Sequence, residues 1–547
     1  MKLTIKRILV IIFFAFLYTI PVLSQDDDTV PPPGSPEEPS IMLPEIFLEI
    51  EDLTAEKLDA VLPPGEELSV PETEIPLPEL TPMGVSDETF VIPLPSISGA
   101  AAAVDSGESS FYSTGLIGIG TMNNILGSVS LYKLGDEPRF TFQFSHESAD
   151  GYNFNPPGTG YFRKTDDLAG WISFRTGSAE IRGEGGYSED EKGLQQQASY
   201  YAAALKKTSG NFNFSLESPR SPLFLNAGFS ALSLRRILAS ATSNTEPVSH
   251  RETKLSGNIT AGADFSSVTF HLSADYFYRF VPTVTALGDN RLFVETGFDA
   301  ALRDIVVLDG SAGFAYGDTF KSAFPFDLSL SFILKDSVVL SLAGGYQVVT
   351  YNYNELWEDF RLLNLQDTLE DGSEWFADGG FKLQNRTRSL YLEGGIGSAY
   401  RIGVVELGNY DESSGFYPFT QRDYITLSPR AKLYFSPGKI FDFSLGWEAI
   451  LLERTAQEDA HRFTWEAGIN SSGGRFGATL SGWTALNSWI FDVPVLDFSA
   501  YFKATEGVEF ILEAEDILSP VIESGRVDLE PFITPGLIIT FKTQISL

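Results

Sequence analysis

From about Phe111 to Leu547 apolar and polar residues alternate with a period of two, in run after run. Phe326, Leu328, Leu330 and Phe332 alternate with Asp327, Ser329 and Ser331. Phe140, Phe142 and Phe144 alternate with Thr141, Gln143 and Ser145, and Phe441, Phe443, Leu445, Trp447 and Ala449 with Asp442, Ser444, Gly446 and Glu448. Val508, Phe510, Leu512 and Ala514 do so around Glu509, Glu513 and Glu515, and similar runs cover Leu292–Leu302, Phe270–Phe280, Phe463–Ile469 and Leu496–Phe502. Successive side chains of a β-strand point to opposite faces, so this pattern predicts strands with one apolar and one polar face.

A soluble sandwich would alternate in the same way, and length decides between the two. Sandwich strands run to about 5–6 residues, whereas many runs here extend over about 9–14 residues, the reach of a tilted strand across a bilayer. About 20 or more apolar faces could not share one soluble core, but a bilayer accepts all of them, and a closed sheet leaves no backbone donor facing lipid. The reading is therefore all-β: a large transmembrane antiparallel β-barrel over 111–547. About 23 candidate strands are visible, one of them between Ser178 and Arg236 expected to be false, and termini on one side require an even number, so about 22 are expected. The connections 236–250, 351–374, 402–422 and 518–532 are expected on the outer side, with short turns such as Lys335-Asp336 opposite.

Two segments precede the barrel. Lys2, Lys6 and Arg7 lead into an apolar run from Ile8 to Ile20, and Val22-Leu23-Ser24 offers a cleavage site, the layout of a signal peptide over 1–24. The run is shorter than the roughly 20 residues of a membrane-spanning helix. Residues 25–110 form an acidic tail punctuated by Pro31-Pro32-Pro33, Pro63-Pro64, Pro76, Pro78, Pro93 and Pro95. Proline there opposes sheet and long helix, and like charge keeps the segment extended, so a disordered Pro-rich linker on the periplasmic side is expected. A short helix over Asp52–Leu62 and the near-repeats Ile75-Pro76-Leu77-Pro78 and Ile92-Pro93-Leu94-Pro95 are candidate contacts for a periplasmic partner, with transient helix and spacer as the plainer readings.

At the other end, Thr534-x-Gly536-x-x-Ile539-x-Phe541 fits the insertion signal of outer-membrane barrels, with Ile539, Phe541, Ile545 and Leu547 on one face. Such chains usually end in Phe or Trp, so Leu547 shifts the expected weight of recognition by the barrel assembly machinery to Phe541.

On these residues the barrel resembles that of TonB-dependent receptors. Phe140–Asn155 (FTFQFSHESADGYNFN) is similar to the family's early strand and first long loop, Glu513–Ser519 to its penultimate-strand motif with Asp516 where Asn is usual, and Pro535-Gly536 through Leu547 to its ending. The resemblance implies a transport barrel, energised or passive, working with a periplasmic partner bound by the tail. Asp87-Glu88-Thr89-Phe90-Val91-Ile92 resembles the family's TonB box, although Pro93 and the barrel follow almost at once. The family's plug needs well over 100 residues ahead of the barrel, and the tail occupies that space. A lumen of this width is expected to be occluded instead by folded-in outer loops, the tail or a separate partner.

Composition narrows the chemistry. The net charge of −35 sets nucleic acid aside, and roughly 20 of the acidic residues lie in the tail beside a single Lys57. There is no cysteine, hence no disulfide and no lipid-anchored N-terminus. His146, His250, His271 and His461 show no metal-ligand spacing, and no nucleophile elbow or phosphate loop is present, so neither an enzyme nor a cofactor is expected. The alternation turns Glu295, Asp299, Asp442, Glu448, Glu466, Glu509, Glu513 and Glu515 inward with Arg430, Lys432 and Lys503, a lumen that either favours cations or is merely solvated. The expected function is passage of a small solute through the outer membrane. The competing reading is a surface structural or adhesion protein, and the loop 351–374, with Tyr351, Tyr353, Trp357 and Phe360 among acids, suits ligand capture or surface contact.

Overall fold

The computed structural model describes residues 110–547 apart from 153–154, 218–220, 241–246, 283–287, 303–304, 335–336, 366–368, 386, 388, 439, 488–489, 523–525 and 530. The signal segment, the acidic tail, the segment Asp87–Ile92 and the turn Lys335-Asp336 lie outside these residues.

The described residues build a closed antiparallel barrel of 22 long strands. The first half comprises β1 (Ser110–Gly120), β2 (Ile125–Leu134), β3 (Arg139–Asp150), β4 (Phe162–Thr176), β5 (Ala179–Gly193), β6 (Tyr200–Glu217), β7 (Leu223–Ser240), β8 (Val248–Asp264), β9 (Val268–Phe280), β10 (Asp289–Leu302) and β11 (Val306–Gly317). The second comprises β12 (Phe326–Leu334), β13 (Val338–Val349), β14 (Gly372–Gln384), β15 (Leu390–Leu407), β16 (Phe419–Phe435), β17 (Phe441–Ala449), β18 (His461–Asn470), β19 (Phe476–Asn487), β20 (Val495–Thr505), β21 (Val508–Glu515) and β22 (Ile538–Ser546). Each strand pairs with its chain neighbours, and β1 closes on β22 from Thr114↔Ser546 to Gly120↔Thr540. Closure leaves no open edge, which is what a sheet in hydrocarbon requires.

The alternation maps onto two different faces. Ile117, Ile119, Phe270, Leu272, Leu342, Ile396, Phe502 and Phe541 are exposed, and exposed apolar pairs face each other in register at Ile119↔Ile125, Ile119↔Phe541, Leu512↔Phe541 and Phe476↔Phe502. On the opposite face, Arg163 of β4 reaches Glu515 of β21 at 3.2 Å, although five strand steps separate them. Only side chains on the inner side can meet in this way, so the polar face lines the lumen and the apolar face is the outside of the barrel. In water such an apolar exterior would be costly, whereas in a bilayer it is the solvated surface.

Strictly antiparallel order places alternate connections on opposite rims. The connections 151–161, 194–199, 350–371, 408–418, 450–460 and 516–537 share one rim, called here the loop rim. Turns such as 177–178 and 506–507 share the other, where β1 starts and β22 ends. The strands extend further than the sequence reading allowed. Arg236–Ser240 and Val248–His250 are strand rather than loop, as are the flanks of 402–422, because β6, β7 and β15 run to 18 residues and rise beyond a bilayer's reach of about 9–11. The stretch from Ser178 to Arg236, from which one candidate was to be discarded, carries β5, β6 and most of β7.

Candidate solute path and the loop that crosses it

The loop 350–371 does not stand away from the barrel. It contains the short helix α1 (Tyr353–Asp359) and lies against the lumen face near the loop rim. Tyr353 and Trp357 are stacked with ring centroids 5.5 Å apart, and Trp357 is fully buried. Leu356, Leu362, Leu363 and Leu369 join them against Leu205 of β6 and Leu234 and Leu238 of β7, forming a buried apolar core inside the mouth. The sequence reading put Tyr351, Tyr353, Trp357 and Phe360 at a surface for capture or contact. Tyr353 and Trp357 are instead core residues, because the strand faces beneath them carry leucines where a simple water-filled wall would be polar. Each such buried side chain contributes roughly 1.5–3 kcal/mol relative to exposure.

Strand residues fix the loop at successive points. Asp371 accepts from Tyr351 N–H (3.0 Å) and pairs with Arg291 of β10 (2.7 Å), so one carboxylate holds both ends of the loop. Asp289 lies 3.0 Å from Arg291 and 3.1 Å from Arg279 of β9, whose guanidinium donates to Tyr351 O. Glu252 of β8 accepts from the backbone N–H groups of Tyr353 and Asn354 (3.2 and 2.5 Å), supplying a carboxylate to the unsatisfied donors of the α1 N-terminus. Arg236 of β7, fully buried, donates to the carbonyls of Arg361 and Leu363 just beyond the helix and lies 4.7 Å from the Trp357 ring. Arg361 then donates to the carbonyls of Asp190 and Ala203 on β5 and β6 and pairs with the Asp190 carboxylate, and Lys207 holds Glu358 at 2.6 Å. The loop leaves β13 and is bonded in turn to β10, β9, β8, β7, β6 and β5.

Two further loops meet it. Tyr417 of 408–418 exchanges backbone hydrogen bonds with Leu362 and Asn364. In 516–537 a small hairpin places Leu529 and Phe532 against the same core, and Ile533 exchanges two hydrogen bonds with the Gln195 amide. This last loop turns at Asp516, which has a left-handed φ of 44° and forms a two-point pair with Arg526 at 3.0 Å.

The eight acidic lumen candidates all lie on strand faces opposite exposed apolar residues, and the wall divides them. Glu509 faces Lys503 (3.8 Å), Glu513 pairs with Lys542 and Glu515 with Arg163. Glu448 is opposite Arg462 in register, while Asp442 and Glu466 lie further down β17 and β18. Glu295 and Asp299 instead join Asp275, Asp309 and Asp327 on β9–β12, a patch with no lysine or arginine at ion-pair distance among the described residues. His271 lies 4.0 Å from Asp299. The sequence reading missed Asp275, Asp309 and Asp327, although their alternation with Tyr276, Leu308 and Leu328 carried the same signal. Arg430 forms a two-point pair with Asp378 at 2.7 and 2.8 Å, reaching past Gly395 and Gly397.

Among the insertion-signal residues, Thr534 and Gly536 lie in the loop before β22, Gly536 with φ 83°. Ile539 and Phe541 lie on the outer face of β22, where Phe541 stacks on Phe510 at 6.0 Å, and Leu547 ends the chain exposed. Among the described residues no group of three or more potential ligands is placed to hold a metal ion.

No family model and no curated protein matches the sequence. Solved structures do match in fold. The copper transporter OprC aligns with a TM-score of 0.64 at 11% identity, over 81% of each chain. The FrpB iron transporter from Neisseria meningitidis (F3-3 variant) aligns at 0.63 and 9% identity, over 82% of this chain and 83% of that one. A point mutant of the ferric enterobactin receptor from Pseudomonas aeruginosa aligns at 0.61 and 8% identity, over 81% of each. The likeness to the barrels of TonB-dependent receptors is therefore one of architecture. Among the described residues no separate domain fills the lumen.

Proposed function

We propose that this chain is an outer-membrane transport barrel in which inward-folded loops do the occluding that a plug does elsewhere. The loop rim faces the outside, and the two ends of the barrel chain face the periplasm. The observation that carries the reading is the loop 350–371, bonded to β10, β9, β8 and β7 by Arg291, Arg279, Glu252 and Arg236 and to β6 and β5 through its own Arg361, and closed over a fully buried Trp357. A surface-contact loop would present its aromatics to solvent. This one turns them to the wall and narrows the lumen, which is how a channel is gated. The similarity in fold to a copper transporter and an iron transporter supports passage of a small solute rather than catalysis.

Single-channel recording in planar bilayers tests this. The intact chain is expected to conduct in small, brief openings, and a chain with 352–365 replaced by a short Gly-Ser link to conduct in large, long ones. Equal conductance in the two would end the reading.

A further inference from the structure

The converging loops enclose a cavity of about 150 Å³ against β4 and β5. Its floor carries Arg163 and Lys192, and the loop 350–371 supplies Asp359 and Arg361. Tyr152, Tyr417 and Phe532 supply aromatic surface from three other loops. A cavity of about 150 Å³ is the size that holds one six-membered ring.

Charge decides the kind of ring. Arg163 is held by Glu147 (2.8 Å) and Glu515 (3.2 Å), and Arg361 by Asp190. Three cations (Arg163, Lys192 and Arg361) thus face or adjoin four carboxylates (Asp359, Glu147, Glu515 and Asp190). An anion entering here would meet the Asp359 carboxylate and guanidiniums already paired to the three carboxylates behind them, and a cation would meet two guanidiniums and an ammonium. A ligand without charge that both donates and accepts is disfavoured by neither set. The guanidiniums and ammonium offer donors, the Asp359 carboxylate offers acceptors, and the aromatic rings offer apolar faces. We infer that this cavity takes the six-membered ring of a neutral, hydroxyl-rich compound such as a hexopyranose or a cyclitol, its substituents pointing to the open side. This deepens the transport reading and rests on it, since the cavity is built by the loops that occlude the barrel.

The test uses the full-length purified chain in detergent and measures binding of methyl α-glucoside, inositol, phosphate and acetate by calorimetry. The expected result is saturable binding of at least one of the two neutral rings, with neither anion competing. Among the described residues the exposed side chain of Asp359 makes no hydrogen bond, so Asp359→Leu is expected to weaken that binding at least about tenfold, as loss of a charged hydrogen-bonding group does, while the melting temperature is unchanged. Asp359→Asn, which keeps one acceptor, is expected to retain part of it. Binding of phosphate or acetate in preference, no binding of either ring, or equal binding by Asp359→Leu would overturn the inference. In each of those cases the conductance of the 352–365 replacement still reports on the transport reading by itself.

Discussion

The guanidinium of Arg236, 4.7 Å from the centre of the Trp357 indole, donates at the same time to the carbonyls of Leu363 (2.6 Å) and Arg361 (3.0 Å). A wall residue of β7 thereby holds the crossing loop by a ring of its helix and by two carbonyls just beyond the helix, and it does so without a carboxylate partner among the described ion pairs.

Trp357→Ala is expected to release the loop. Removing a buried tryptophan costs about 3–5 kcal/mol, comparable to what a local closed state has to spare. Chymotrypsin added to intact cells should then cut within 350–371, and channel openings should lengthen. Arg236→Met, which keeps the stem and loses the donors, is expected to give a weaker version of both effects. A Trp357→Ala channel as protected and as closed as the parent would show that the loop is held elsewhere.

Glu252→Ala strips the acceptor from two backbone N–H groups that are buried in the docked helix, at a cost of about 1–3 kcal/mol. Hydrogen exchange of Tyr353 and Asn354 is expected to accelerate by about tenfold or more (1.4 kcal/mol per factor of ten), with the β8 amides unaffected. Glu252→Gln keeps an acceptor and should fall between the two. Unchanged exchange in the alanine variant would remove Glu252 from the docking scheme.

The acids of β9–β12 set a second expectation. Glu509, Glu513 and Glu515 each face a cation, whereas Asp275, Glu295, Asp299, Asp309 and Asp327 cluster without a lysine or arginine at ion-pair distance among the described residues, so cation preference is expected to rest more on that cluster. In asymmetric potassium chloride the reversal potential of the loop-replaced channel should report cation preference. Asp299→Asn with Asp309→Asn should reduce it more than Glu509→Gln with Glu513→Gln. Anion preference in the parent would contradict the assignment.

Assembly offers a separate check. Phe541 is exposed on the outer face and stacked on Phe510, whereas Leu547 is the more exposed of the two, at the chain end. Phe541→Ala is expected to lower the amount of heat-modifiable barrel in outer-membrane fractions several-fold, and Leu547→Ala to change it little. The reverse order would place the signal at the last residue.

The barrel was legible because a bilayer imposes one rule on every strand. Runs such as Phe326–Phe332 and Phe441–Ala449 repeat the same two-residue period at the same length, and strand number and topology follow from counting them. The strand ends were less legible. Arg236 and His250 are polar residues beyond the apolar band and read as loop, yet they continue the ladder above it. Folded-in outer loops were one of the expected occluders, but which loop docks and on what could not be read, since its anchors lie far away in sequence: Glu252 holds Asn354, and Arg291 holds Asp371. The available hint was local, leucines at 205, 234 and 238 on the face where the strands are otherwise polar. Such a face needs a cover, and the aromatic-rich stretch 351–360 was the candidate.

The carboxylate of Asp371 binds Tyr351 N–H and Arg291 together, so the two feet of the crossing loop stand on a single post. On the proposed transport reading, losing the contacts of this one carboxylate would loosen both roots of the loop together, so a single charge governs the flap at its two ends.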